Sequence, residues 1–165
     1  MIGGAGTLNE KKGQEVLTLA FKEVKKQKPN AQLLWIGTWD PDRELRFRDE
    51  LAEMVKAGDV IITGHIPHEQ MLEYLSLLDV FVLASPDEGC PNVLLESLLI
   101  DVPSVFTVQS AMEVIEPNLA HTLVSYDHGH LARCILKIQQ ATSLKKSTTT
   151  ATERKCWAAL YCDGS

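Results

Sequence analysis

The chain has 165 residues, 45% of them hydrophobic, and carries a formal net charge of -6. This length and composition provide one core of ordinary domain size and exclude two complete Rossmann domains. The negative charge argues against nucleic-acid binding, which needs a basic surface to neutralise phosphates. No apolar run approaches the roughly 20 residues of a membrane span and no signal peptide is visible, so we expect no transmembrane segment and a cytoplasmic location.

Strand-like and helix-like segments alternate along the chain. The strands are predicted at Ile2 to Ala5, Leu33 to Ile36, Val60 to Thr63, Val80 to Ala84, Ser104 to Val108 and Leu123 to Ser125. The helices are predicted at an amphipathic stripe from Val16 to Val24, around Asp42 to Lys56, at Glu69 to Leu78, at Val93 to Ile100, near Met112 and at Leu131 to Gln140. Such alternation is typical of an α/β fold with a parallel sheet covered on both faces.

We therefore predict one Rossmann-like domain over residues 1–142, with a parallel sheet of about six strands and helices on both faces. The segment that follows begins with a stretch rich in Ser, Thr and Lys. This composition predicts a polar linker and C-terminal tail over residues 143–165.

The first predicted strand and the turn that follows it are rich in glycine. Gly3, Gly4 and Gly6 give a backbone without bulk, and Thr7 to Glu10 has the spacing of a capping box. A ligand phosphate would come close to such a backbone, although the glycines also fit a tight turn. Lys12 is the candidate counter-charge, while the residues alone favour a solvated lysine.

A second candidate site follows the strand that ends near Ala84. Glu88 stands at the carboxyl end of this strand, and Pro91 suits the first turn of the next helix. In an open α/β sheet, this crevice binds ligands because helix-start amides point into it. Glu96 falls among apolar neighbours on the helix and needs a hydrogen-bond donor, such as a sugar or ribose hydroxyl. Spacing alone favours a plainer alternative, in which Glu96 is solvated or satisfied by nearby backbone.

The second site resembles a known signature. Glu88 and Glu96 are two acids separated by seven residues, with Gly89, Pro91 and Leu95 between them. This stretch resembles the E-x7-E signature of the group 1 family of retaining GT-B glycosyltransferases. The resemblance extends from about Ile2 to Ile138 and includes further matches in the right order: Gly6 to Leu8 with Lys12-Gly13, Leu34 to Gly37, Ile61 to Gly64, Leu78 to Val80 and Pro103 to Glu113.

The resemblance implies that the chain is one half of a GT-B fold, the C-terminal domain that holds a nucleotide diphosphate sugar, UDP- or GDP-linked. It implies that Glu88 contacts donor sugar hydroxyls, that Glu96 holds the ribose and that Lys12 binds the diphosphate. Positions implied to line the donor site are Gly6, Thr7, Gly37, Gly89, Cys90, Asn92 and Val93, with His65 near the nucleotide base.

The reaction implied by the resemblance is sugar transfer with retained anomeric configuration, with no cofactor and no essential metal. Acceptor contacts would come from an N-terminal domain, in cis or as a separate chain. We therefore expect this chain alone to bind donor better than it turns it over. Met1 directly precedes the first strand, which suggests a piece cut from a longer enzyme or one half of a split enzyme.

Some positions depart from the family pattern. Thr7 stands where the family usually has arginine, Asp101 occupies a usual glycine position, and Gln109-Ser110 replaces a Gly-Gly pair. The loss of a cation weakens charge stabilisation of the departing diphosphate. The alternative function is therefore a non-catalytic module that binds sugar nucleotides or another protein. A sugar-nucleotide epimerase of the same architecture is a third, weaker alternative.

The remaining cysteines and histidines carry little chemistry. The four cysteines have no C-x-x-C spacing and are predicted to be free thiols; they are Cys90, Cys134, Cys156 and Cys162. His68, His121, His128 and His130 are predicted to lie on the surface. His128 and His130 supply only two ligands, which do not make a metal site.

Overall fold

The computed structural model describes residues 1–39, 48–86, 91–107, 121–123 and 126–146, and within these it leaves out the side chains of residues 10, 121–123 and 143–146. The strands are β1 (Ile2–Ala5), β2 (Leu33–Ile36), β3 (Val60–Ile62), β4 (Val80–Leu83), β5 (Ser104–Thr107) and β6 (His121–Leu123). The α-helices are α1 (Gln14–Gln27), α2 (Arg48–Lys56), α3 (Met71–Ser76), α4 (Asn92–Leu99) and α5 (His128–Lys146). Two 3-10 helices span Glu10–Lys12 and His68–Gln70.

The described strands form one six-stranded sheet in the order β3-β2-β1-β4-β5-β6. All five neighbouring pairs are parallel. The chain therefore folds as a doubly wound Rossmann-like domain, as the sequence predicts. The strand order reverses between β1 and β4, and the crevice at the carboxyl ends of these two strands is where such sheets bind ligands.

Two apolar clusters cover the two faces of the sheet. One contains Val16 and Phe21 of α1, Leu51 of α2 and Ile135 of α5. The other contains Leu75 of α3 and Leu94 of α4. Strands β1, β2, β4 and β5 are buried along their whole length. This explains why β1, β2 and β4 appear in the sequence as continuous apolar runs rather than alternating ones.

Several boundaries differ from the sequence predictions. β6 is described as His121–Leu123 and so begins two residues before the predicted strand, while residues 124 and 125 of that prediction lie outside the described residues. Helix α5 ends at Lys146, so residues 143–146 of the predicted linker are helical. The predicted helix near Met112, the first part of the helix predicted from Asp42 and the rest of the predicted tail lie outside the described residues.

The turn with capping-box spacing, Thr7 to Glu10, leads into the 3-10 helix Glu10–Lys12 and not directly into α1. The side chain of Glu10, on which a capping box depends, lies outside the described part of the chain. In this turn, Oδ1 of Asn9 accepts a hydrogen bond from the backbone N-H of Lys12 at 3.1 Å. Helix α1 begins after its N-cap residue Gly13, which adopts a left-handed conformation with φ 68°. No side chain caps this helix start. The chain thus forms a 3-10 turn and a reversal where the sequence suggested a direct helix start.

Asp101 also adopts a left-handed conformation, with φ 59°. A glycine takes this conformation without steric cost, whereas an aspartate tolerates it less easily. The left-handed backbone at position 101 therefore explains why glycine is the usual residue there in the family that the sequence resembles.

Candidate functional site

The turn after β1 brings a lysine over the carboxyl edge of the sheet. Gly6 has φ 111°, and a Cβ placed on it would lie 3.2 Å from Cε of Lys12. The aliphatic part of the half-buried Lys12 therefore crosses directly above the Gly6 backbone. The neighbouring Lys11 is exposed, so the two lysines have different surroundings.

The ends of β1 and β2 are in backbone contact. A Cβ at Gly37, which has φ 145°, would lie 2.1 Å from the carbonyl oxygen of Gly6. The indole Nε1 of Trp35 donates to that same oxygen at 2.8 Å. The Gly37 N-H donates to Oγ1 of Thr63 at 3.0 Å, which ties in the end of β3. Packing alone therefore requires glycine at position 37.

Trp35 and Thr63 are structural residues of this edge that the sequence reasoning missed. Trp35 is 3% exposed, and a buried indole needs an acceptor for its N-H. From this requirement, the sequence could have predicted that the N-H of Trp35 has a hydrogen-bond acceptor at a neighbouring strand end. The sequence could not identify that partner as Gly6, which is 29 positions away.

The turns after β1 and β4 are also joined. A Cβ at Gly13 would lie 2.0 Å from the carbonyl oxygen of Ala84, so the start of α1 packs against the end of β4. The hydroxyl of Ser85 donates to the carbonyl oxygen of Lys11 at 2.6 Å. These contacts hold the turn that carries Lys12 beside the loop that leads from β4 towards α4.

Helix α4 begins at this same edge. Pro91 is its N-cap in an extended conformation, and no side chain caps the helix. Asn92 is exposed and Val93 is half-buried. Since the first backbone N-H groups of a helix lack intrahelical acceptors and carry a partial positive charge, the start of α4 favours an anion.

Glu96 lies one turn further along α4. Its side chain is 21% exposed, and its Oε1 is 3.4 Å from Nε2 of His68. The prediction that His68 lies on the surface is confirmed, since its side chain is 77% exposed. Its proximity to Glu96 was missed, because the two residues are 28 positions apart and lie on different elements.

The predicted site residues that the structure describes fall into three groups. Gly6, Lys12 and Gly37 lie together at the ends of β1 and β2. Asn92, Val93 and Glu96 follow one another on α4, in the connection from β4 to β5. Thr7 and His65 are exposed in the turns after β1 and β3. Glu88, Gly89 and Cys90 lie outside the described residues.

Cys134 is a buried free thiol. Within the part of the chain that the structure describes, no group of three or more His, Cys, Asp or Glu side chains could hold a metal ion. None of the described helices is both long enough and apolar enough to cross a bilayer.

The family model described as "Glycosyl transferases group 1" matches residues 1–141. The chain therefore belongs to the group 1 glycosyltransferases. It is 30% identical over 144 residues to the amylovoran biosynthesis glycosyltransferase AmsK of Erwinia amylovora, covering 81% of this chain and 34% of that protein. The chain spans only 23% to 38% of the length of the curated relatives that it matches.

Solved structures share the fold. The C-terminal domain of the group 1 family protein LpcC from Francisella tularensis matches with a TM-score of 0.72 at 20% identity, covering 96% of this chain and 80% of that one. The crystal structure of Anabaena Alr3699/HepE in complex with UDP matches with a TM-score of 0.69 at 19% identity, covering 96% of this chain and 43% of that one. The architecture is thus that of the C-terminal half of a GT-B fold.

Proposed function

We propose that this chain is the donor-binding domain of a retaining glycosyltransferase, which transfers a sugar from a UDP- or GDP-linked donor to an acceptor. The observation that carries the proposal is the position of Lys12. Its stem crosses Gly6 beside the point where the strand order reverses, and the Ser85 to Lys11 hydrogen bond links this turn to the loop that leads to α4. The structural similarity to HepE, which was solved in complex with UDP, supports a nucleotide as the ligand of this chain.

In this proposal the donor lies along the carboxyl edge of the sheet. Lys12 and the first amides of α4, at Asn92 and Val93, balance the charge of the diphosphate as it departs. Glu96 accepts hydrogen bonds from the ribose hydroxyls. The bare backbones of Gly6 and Gly37 allow close approach of the ligand. No metal or cofactor is required, because the cation and the amides supply the positive charge.

The remaining assignments rest on the resemblance. Glu88 orients the donor sugar, Gly89 and Cys90 approach it, His65 lies near the base, and Thr7 takes the place of a second cation. The acceptor is held by an N-terminal domain, in the same polypeptide or as a separate chain, and the complete enzyme acts in the cytoplasm. In this proposal the domain comprises residues 1–142 with α5 continuing to Lys146, and the residues beyond form a polar linker and tail.

One observation favours the alternative of a non-catalytic sugar-nucleotide-binding module. Thr7 is exposed on the turn after β1, where the family pattern has arginine, so this position supplies no charge to the leaving group. Addition of an N-terminal domain from a relative, followed by an assay for sugar transfer, distinguishes the two functions. Transfer supports the enzyme, whereas tight donor binding without transfer supports the module.

The binding proposal is tested by calorimetric titration of the chain with UDP, GDP and uridine. Lys12→Met keeps the apolar stem over Gly6 and removes the charge. A charged hydrogen bond contributes about 1.5–3 kcal/mol, so we expect nucleoside diphosphate binding to weaken by about 10- to 150-fold. Uridine affinity should stay unchanged, because it has no phosphate.

Lys11→Met is the matched control, since Lys11 is adjacent and exposed and contacts Ser85 only through its backbone carbonyl. It should leave the affinity for nucleoside diphosphates as it is. The absence of heat with both UDP and GDP, or equal losses in the two lysine variants, would contradict the proposal.

A further inference from the structure

His68 is held next to Glu96 by the elements on either side of it. It begins the 3-10 helix His68–Gln70, which runs directly into α3. Ile66 before this helix and Met71 after it both pack against the apolar cluster that includes Leu94 of α4. The backbone of His68 is therefore anchored against the same helix that carries Glu96.

The two side chains differ in exposure. Glu96 is 21% exposed and His68 is 77% exposed, so the imidazole approaches the carboxylate from the solvent side. The contact involves Oε1 of Glu96, at 3.4 Å from Nε2. A carboxylate has two oxygens and about four acceptor sites, so an imidazole at Oε1 leaves acceptor capacity for further donors.

We infer that His68 is a positioning residue for Glu96, holding its carboxylate in the orientation that accepts ribose hydroxyls. This inference rests on the proposed function, in which Glu96 binds the ribose. A glutamate side chain has considerable rotamer freedom, and fixing it on binding has an entropic cost. A contact from an imidazole whose backbone is anchored restricts that freedom before the nucleotide arrives. His68 itself need not touch the ligand.

The test compares ligands that differ only at the ribose. UDP and GDP are titrated calorimetrically, each beside its 2′,3′-dideoxy counterpart, into the parent chain and its variants. A contact between two solvent-accessible side chains is weak, so His68→Ala should weaken binding of the ribonucleotide by about 1.4- to 5-fold. Binding of the dideoxy nucleotide should not change, because it has no hydroxyls for Glu96.

Two further variants separate positioning from general structural support. His68→Gln keeps a side chain N-H donor and should restore part of the lost affinity. Gln70→Ala removes an exposed polar side chain from the same 3-10 helix and should leave both ligands unaffected. In the double variant with Glu96→Ala, the His68 substitution should have no additional effect.

The outcomes distinguish this inference from the function on which it rests. If the parent binds no nucleoside diphosphate, the proposed function fails and the inference falls with it. If the parent prefers the ribonucleotide and Glu96→Ala abolishes that preference, but His68→Ala does not reduce it, only the inference is overturned. Equal weakening of ribo and dideoxy ligands by His68→Ala also overturns it.

Discussion

Gly13 is the residue whose replacement tests the packing between α1 and β4 most directly. It lies in the left-handed region with φ 68° at the start of α1. A Cβ at this position would lie 2.0 Å from the carbonyl oxygen, 2.5 Å from the carbonyl carbon and 2.8 Å from the Cβ of Ala84. Two of these atoms belong to the backbone at the end of a central strand, so a side-chain rotation cannot relieve the overlap.

The expected loss of stability in Gly13→Ala has two parts. The left-handed conformation costs an L-residue about 1–2 kcal/mol. Relieving the overlap with Ala84 requires a backbone shift, and forced insertion of a methyl group into a packed interior costs about 1–3 kcal/mol. Together they predict a loss of about 2–5 kcal/mol in the free energy of unfolding. For a domain of this size, this corresponds to a melting temperature lower by about 4–20 °C.

Gly58→Ala provides the matched control. Gly58 has φ 78°, close to that of Gly13, but a Cβ there would have no atom within 4 Å. The control therefore carries the conformational cost without the overlap. Urea denaturation of the parent and both variants measures the difference, which we expect to be at least about 1 kcal/mol. Equal losses in the two variants would refute the claim that the contact with Ala84 requires glycine at position 13.

Two further predictions concern other parts of the domain. Trp35→Phe removes the donor to the Gly6 carbonyl oxygen and part of a buried ring. The free energy of unfolding, measured by urea denaturation, should therefore fall by about 1–3 kcal/mol. An unchanged denaturation midpoint would contradict the hydrogen bond. The hydrogen bond from Lys26 holds the pKa of Glu23 below its ordinary value. Its stabilising effect is therefore present above the unfolded-state pKa and is lost as the pH falls through the lower folded value. An NMR titration of Glu23 should show its pKa rise towards the ordinary value in Lys26→Ala, and an unchanged pKa would exclude Lys26 as the cause.

The local elements follow largely from the sequence. The apolar runs at Ile2 to Ala5 and Leu33 to Ile36 predict β1 and β2 with the bounds that the structure shows. The stripe from Val16 to Val24 predicts α1, whose buried side chains include both of these residues. These elements can be predicted because hydrophobic periodicity is a property of residues that are close in sequence. Burial of one face of the helix or strand follows from that periodicity.

The candidate site follows from the sequence only in part. The alternation of elements predicts that the glycine-rich turn, Lys12 and the start of α4 lie at strand ends. The resemblance assigns their chemistry. Thr7 and Asn9 both have side chains suited to capping, so the sequence does not distinguish between them. The structure shows that Asn9 accepts a bond from the backbone N-H of Lys12.

By itself, the sequence of this protein determined its alternating elements, its family and the residue types available at each strand end. The tertiary structure decided which strand ends are neighbours. Ala84 contacts Gly13, Trp35 reaches the carbonyl oxygen of Gly6, and His68 reaches Glu96 across tens of residues. Such contacts arise from strand order, register and the faces on which helices pack. These features depend on how much apolar surface is buried over the whole sheet. No local stretch of sequence determines that total.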